Sequence, residues 1–189
     1  MSLKKINIRT VVLILLVVAA AAMRLVNVKY TALSNFTPVG AIALFGGAYF
    51  TDKWKAYLVV LTALFVSDIA INYMYFSKLV WNTSSLWVYL CFAIMVFVGS
   101  LIKKVNVLNV FIASIASVLM HWLIMDMPWL LGSLYPHTLA GYGQSLVAAI
   151  PFEMNMVKGD IVYCAILFGG FELAKRKYTA LRVQPQIAV

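Results

Sequence analysis

Charge is what this sequence has least of. Only 11% of its 189 residues are Asp, Glu, Lys or Arg, and only six are acidic, against about 25% charged in an ordinary soluble domain. So little polar side chain cannot cover a water-facing globule of this size. The two cysteines, Cys91 and Cys164, lie inside apolar runs without C-x-x-C spacing. That excludes a disulfide framework and a thiolate metal site, and leaves buried free thiols. The two histidines, His121 and His137, have no diagnostic metal-ligand spacing. There is no G-x-x-x-x-G-K-[ST], no H-E-x-x-H and no G-x-S-x-G, so P-loop nucleotide hydrolysis, zinc-peptidase and serine-hydrolase chemistry are not indicated. The chain is not expected to be an enzyme or to hold a metal or cofactor. Internal repeats, low-complexity tracts and a soluble appendage are also missing.

What is present is apolar: 64% of the residues, with a mean hydropathy of +0.95. Lipid rather than water is the solvent such a chain suits. The expected fold is all-α, one polytopic transmembrane domain over residues 1–189. Six spans are read: Val11 to Val26, Pro38 to Phe50, Ala56 to Tyr75, Ser85 to Ile102, Val107 to Leu131 and Val157 to Leu173. The second is short against the roughly 20 residues a crossing helix needs. It reaches that length only if it begins near Tyr30 and carries Asn35-Phe36-Thr37-Pro38 as a break at membrane depth.

The net charge of +9 comes with no nucleic-acid motif and no aromatic-interleaved basic face. Six spans sort the basic residues eleven to four. Lys4, Lys5, Arg9, Lys53, Lys55, Lys103, Lys104, Lys175, Arg176, Lys177 and Arg182 fall on one side, and Arg24, Lys29, Lys78 and Lys158 on the other. The positive-inside bias then places both termini in the cytoplasm of a bacterial-type inner membrane. A rival reading makes the first span a signal peptide, since Lys4, Lys5 and Arg9 precede an apolar stretch and small residues Ala19 to Ala22. The connection Gly132 to Met156 falls outside. Its segment Thr138 to Ile150 reads as an amphipathic helix on the outer surface between helices 5 and 6, ended by Pro151-Phe152.

Ionisable groups inside apolar spans are costly, so each calls for a partner, a wet cavity or a function. Asp68 and Asn72, four residues apart, share one face of the third span. Ser114, Ser117 and His121 form a polar stripe on the fifth, followed by Trp122, Asp126, Pro128 and Trp129. For each, helix packing or a structural hydrogen bond competes with a cavity-facing role. His121 and Asp126 match the H-x4-D pattern of glycerolipid acyltransferases, although residues five apart on a regular helix stand about 140° apart. Ala43 with Gly47, and Ala165 with Gly169, have the small-x-x-x-small spacing of close helix approach.

The string from Asn35-Phe36-Thr37-Pro38-Val39-Gly40 to Gly46-Gly47-Ala48, with Ser67-Asp68, Ala149-Ile150-Pro151-Phe152 and Gly159-Asp160, resembles an uncharacterised family of small bacterial integral membrane proteins described as transport proteins. That family is more distantly similar to the substrate-binding S components of energy-coupling-factor (ECF) vitamin transporters. The resemblance implies six helices, both termini inside, and an outward-facing cavity capped by the first, third and fifth loops. One departure is that Ala19 to Ala22 contains no alanine pair at i,i+4, the spacing such proteins often use on helix 1 to dock a coupling subunit. The expectation drawn from residues and resemblance together is a substrate-binding membrane subunit for uptake of a small polar or vitamin-like molecule. Asn35, Thr37, Asp68, Asn72, His121, Asp126 and Trp129 would line its cavity, with His137, Glu153 and Asn155 closing over it. Its partners would be the bilayer, the small-molecule ligand, and energy-coupling transmembrane and ATPase subunits, with no nucleic acid. The rivals are a structural accessory subunit of a membrane complex, whose polar residues only fix packing, and an acyltransferase using His121 and Asp126.

Overall fold

A computed structural model describes residues 7–27, 34–80, 83–131 and 134–182. Its helices are α1 (Ile8–Asn27), α2 (Val39–Tyr49), α3 (Lys53–Phe76), α4 (Thr83–Ser100), α5 (Val107–Met125), the single turn α6 (Pro128–Leu131), α7 (Leu139–Cys164) and α8 (Gly170–Lys177). A π turn, Ala165–Gly169, joins α7 to α8, and a 3-10 turn follows at Thr179–Leu181. No strand occurs among the described residues. Among the described residues, three helices are long and apolar enough to cross a membrane, at Ile8–Leu25, Lys53–Phe76 and Val107–Met125.

The expected second span is a different object. α2 has eleven residues, about 16 Å of helix, roughly half the hydrocarbon thickness. The proposed start near Tyr30 lies outside the described residues. Ten of the eleven residues of α2 are buried, because a helix apolar all round finds no solvent-facing side. It is the hub of the bundle, packed hardest against α4. A Cβ on Gly47 would fall 2.0 Å from the Val96 carbonyl oxygen, and one on Gly99 2.4 Å from that of Leu44. Only hydrogen at those two positions lets the backbones cross so closely. The Ala165/Gly169 pair does not behave this way: nothing approaches Gly169, and the pair lies in the π turn.

Two further expectations are corrected. The fifth span does not run to Leu131: α5 stops at Met125 with Asp126 as its C-cap, and Pro128, lacking an N–H, opens the separate turn α6. Nor is Thr138 to Ile150 a separate segment ended by Pro151. α7 passes through Pro151 and continues by way of the π turn into α8, about 58 Å of helix against a core of about 30 Å.

This long helix bends. Ser114 meets Asp160 and His121 meets Glu153, so both helices advance seven residues together. On a straight path Tyr142 would then stand level with position 132, about 13 Å beyond Leu123, farther than a tyrosine reaches. Instead the Tyr142 hydroxyl donates to the Leu123 carbonyl (2.7 Å) and Trp122 Nε1 to that of Leu146 (3.1 Å). The first half of α7 therefore lies across the end of α5. Pro151 supplies the cause, since it removes an i to i−4 hydrogen bond and crowds the preceding turn.

Basic side chains gather at the opposite end. Arg9 Nη2 donates to the Tyr49 carbonyl (2.7 Å), and Lys53 Nζ to those of Gly47 (2.7 Å) and Phe50 (3.1 Å). These cations stand at the negative C-terminus of α2. Beside them the Tyr49 hydroxyl and Lys175 Nζ both reach Glu172 Oε1. Phe45, Tyr49, Phe168 and Phe171 pack ring to ring there.

A candidate polar seam between α5 and α7

The stripe Ser114, Ser117, His121 on α5 faces a matching pair on α7, Asp160 and Glu153. Ser114 Oγ donates to Asp160 Oδ2 (3.1 Å). His121 Nδ1 lies 3.3 Å from Glu153 Oε1, an ion pair when the ring is protonated. Asp160 is 0% exposed and Glu153 6%, so two carboxylates sit inside an apolar bundle. Neither has a Lys or Arg partner among the described residues.

Asp160 also ends α2. Pro38 at the N-cap offers no side-chain hydrogen bond, so the first N–H groups of α2 need an acceptor from elsewhere. The Asp160 carboxylate stands there, facing the Ala41 N–H. A Cβ on Gly40 would fall 2.4 Å from Asp160 Oδ1, and one on Gly159 3.1 Å from the Thr37 nitrogen. Two distant strings, Asn35 to Gly40 and Gly159-Asp160, thus meet because neither glycine carries a side chain. The Asp160 side chain stands at the N-terminus of α2, and the cations Arg9 and Lys53 stand at its C-terminus, where the helix dipole favours positive charge.

A cavity of about 490 Å³ opens between α5 and the α7–α8 helix. Ser114 and Asp160 form its deep end, Val110 and Phe168 belong to its apolar wall, and Glu172 and Arg176 lie toward the basic end. The π turn lines it, and such turns, which interrupt the regular ladder, recur at functional sites.

The sequence-derived candidates divide into separate groups. His121 and Glu153 meet directly. Asp126, just beyond α5, is close enough to feel both charges: burial, and next the Glu153 charge, push its carboxyl up to about 6. Asn155 Nδ2 donates to the Ser34 carbonyl (3.1 Å), tying α7 to the turn before α2. In that turn Asn35 is left-handed (φ 65°) and exposed, while the half-buried Thr37 donates its N–H to the Asn35 carbonyl (2.9 Å). Trp129 lies with its ring tilted against His137 (centroids 6.4 Å apart) and edge-on to Tyr142 (6.2 Å).

Asp68 and Asn72 join none of these groups. Asp68 Oδ1 holds Arg24 Nη1 (2.7 Å) and its Oδ2 accepts from the Tyr89 hydroxyl (2.6 Å). Asn72 Nδ2 donates to the Asp68 carbonyl (2.9 Å), and Asn72 Oδ1 accepts from the Val80 N–H (3.2 Å). This cluster ties α1, α3 and α4 together, and Arg24, which the sequence places among the four basic residues of the outer side, belongs to it.

Sequence reasoning passed over Asp160 as a site residue. The signal was available: Glu153 and Asp160 are seven apart, as are Ser114 and His121, so one pair of faces can carry both contacts.

No curated protein and no solved structure matches the chain. A family profile does, over residues 4–181. With nearly the whole chain matched, from α1 through the 3-10 turn that closes the structure, the protein belongs to the family of unknown function DUF6580.

Proposed function

We propose that this protein is a multi-pass subunit of the bacterial inner membrane that binds a small polar or vitamin-like molecule for uptake, in the manner of an S component. The observation that carries this reading is the seam itself. Two carboxylates and a histidine are buried between α5 and α7, at a cost of several kcal/mol for each ion removed from water, and the Asp160 end of the seam lines a cavity of about 490 Å³, within the range of small-molecule sites. A chain that needed only to pack would fill that interface with apolar side chains at no such cost. The half-length α2, with its N-terminus deep in the bundle, is the kind of broken helix around which transporters build midplane sites. Energy-coupling transmembrane and ATPase subunits are the partners this reading calls for.

Native mass spectrometry of protein released from mild detergent tests it. A bound small molecule should accompany the wild type and be missing from Glu153→Gln, while the variant stays monodisperse. An empty wild type, or retention of the molecule by the variant, would count against the site.

Orientation is tested separately. Both buried cysteines are shielded, so cysteines introduced at positions 104 and 137 report cleanly. They should label from the cytoplasmic and outer faces respectively. Labelling of both from one face would defeat the arrangement with both termini inside.

The second reading, a structural accessory subunit, draws on the cluster of Arg24, Asp68 and Tyr89, which joins three helices and pairs both oxygens of Asp68 within the protein. It accounts for that cluster and not for the seam.

A further inference from the structure

Buried polar atoms without a hydrogen bond are concentrated in one interface. Among the described residues they belong to Arg9, Arg24, Ser117, His121, Glu153 and Asp160, and the last four all stand on the seam between α5 and α7. A buried polar atom left unpaired costs about 1–3 kcal/mol. Such atoms in a folded protein call for an explanation, and water, an ion or a transfer role are the usual ones.

Their order along the seam is regular. From the His121–Glu153 pair to Ser117 is four residues of α5, about 6 Å, and from Ser117 to the Ser114–Asp160 pair three residues, about 4.5 Å. Gaps of that size between polar groups are bridged by single waters, which need two to four polar partners. Beyond His121 and Glu153, toward the bent half of α7, stands Asp126, with its raised affinity for a proton. Beyond Asp160 lies the cavity, which ends at Glu172 and Arg176. Titratable or proton-passing groups and a cavity therefore follow one another along the length of the bundle.

We propose that this seam is a proton pathway: Asp126, the His121–Glu153 pair, Ser117 with bridging water, and Ser114 with Asp160 hand a proton through the bundle to the cavity at its basic end. Each transfer breaks one O–H or N–H bond and forms another on the next group. Every side chain returns to its starting state, and the net change is one proton moved. The surroundings favour a proton over an anion. Lys158 is exposed on the opposite face of α7 from Asp160, and Arg24 is already paired with Asp68. From α2 the seam receives the Ala41 N–H, and Cys164 is the neighbour on the next turn of α7.

The inference deepens the proposed function by giving the same site a coupling ion. It shares that reading's choice of site, but its test contains no solute and so fails or succeeds on its own. Full-length protein is reconstituted into liposomes of phosphatidylethanolamine and phosphatidylglycerol with pyranine inside, and a valinomycin-clamped potassium gradient draws protons inward. Acidification should run several-fold faster than in empty liposomes. It should fall to the empty-liposome rate in Glu153→Gln and in Asp160→Asn, which keep the shape of the side chains and remove the carboxyl proton site. Lys158→Ala should conduct like the wild type. Should Asp160→Asn fail to fold, Glu153→Gln decides alone. A wild-type rate equal to that of empty liposomes, a well-folded Glu153→Gln that conducts normally, or loss of flux in Lys158→Ala would each overturn the pathway. Ligand bound in mass spectrometry with no flux would sink the pathway and leave the binding reading standing.

Discussion

Asp160→Ala is expected to be the most damaging single substitution in the protein. It deletes a side chain that is 0% exposed and leaves Ser114 Oγ and the Ala41 N–H facing an apolar void. Each buried donor left unpaired costs about 1–3 kcal/mol, and two are involved, so a loss of about 2–6 kcal/mol is expected from a total stability of about 5–15 kcal/mol. Thermal unfolding in detergent should show a large drop in melting temperature or no monodisperse protein at all. Asp160→Asn keeps an acceptor in place and should recover most of the loss. The partner position gives a sharper check. Gly40→Ala would drive a methyl group to 2.4 Å from Asp160 Oδ1 and should be strongly destabilising alone. Combined with Asp160→Ala its effect should be much less than additive, because the obstacle is gone. A melting temperature unchanged in Asp160→Ala, or strict additivity in the pair, would refute the view that this carboxylate holds α2.

The second large effect is expected at Asp68. Removing one member of a partly buried ion pair leaves the other charge stranded, at about 3–5 kcal/mol. The Arg24 and Asp68 side chains are 15% and 26% exposed, so the low end of that range applies. Asp68→Ala should lower the melting temperature, leave Tyr89 without its acceptor, and leave any ligand affinity of the folded fraction unchanged. Replacing both partners by apolar residues, Arg24→Met with Asp68→Leu, should restore most of the stability, since neither charge then has to be desolvated. Lost affinity with an unaltered melting temperature would return Asp68 to the binding site.

These two carboxylates show what a sequence can and cannot disclose about such a protein. Asp68 stood out as the leading candidate because it interrupts a long apolar span, and the same reasoning applies equally to a ligand contact and a helix staple. What distinguishes them is the partner, and Arg24 lies 44 positions earlier on another helix. Asp160, by contrast, reads in the sequence as part of the Gly159-Asp160 motif rather than as a chemical group. Its meaning depends on α2, whose N-terminus has no cap of its own, and on a glycine at position 40 that makes room for it. The polar stripe on α5 was legible, since Ser114, Ser117 and His121 follow helical period. The identity of the opposing face was not, because period says which residues share a side and nothing about which helix covers it.

By itself the sequence pointed to lipid as the solvent, because 64% of its residues are apolar and 11% charged, and to helices, because its long continuous apolar runs can satisfy their backbone groups internally only in that form. The division of basic residues, eleven to four, is an expectation of the six-span reading, and of its members Arg9, Lys53 and Lys175 stand together at one end of the bundle. The centres of the helices followed from hydropathy. Tertiary structure decided the lengths and the pairings. α2 became a short buried hub because Gly47 and Gly99 let it cross α4 at backbone contact. The segment before Pro151 became part of one long bent helix because an internal proline can kink a helix without ending it when neighbours such as Trp122 and Tyr142 hold both halves in place. The seam arose where two seven-residue spacings on distant segments came into register, a coincidence of three-dimensional packing that no local property of either segment contains.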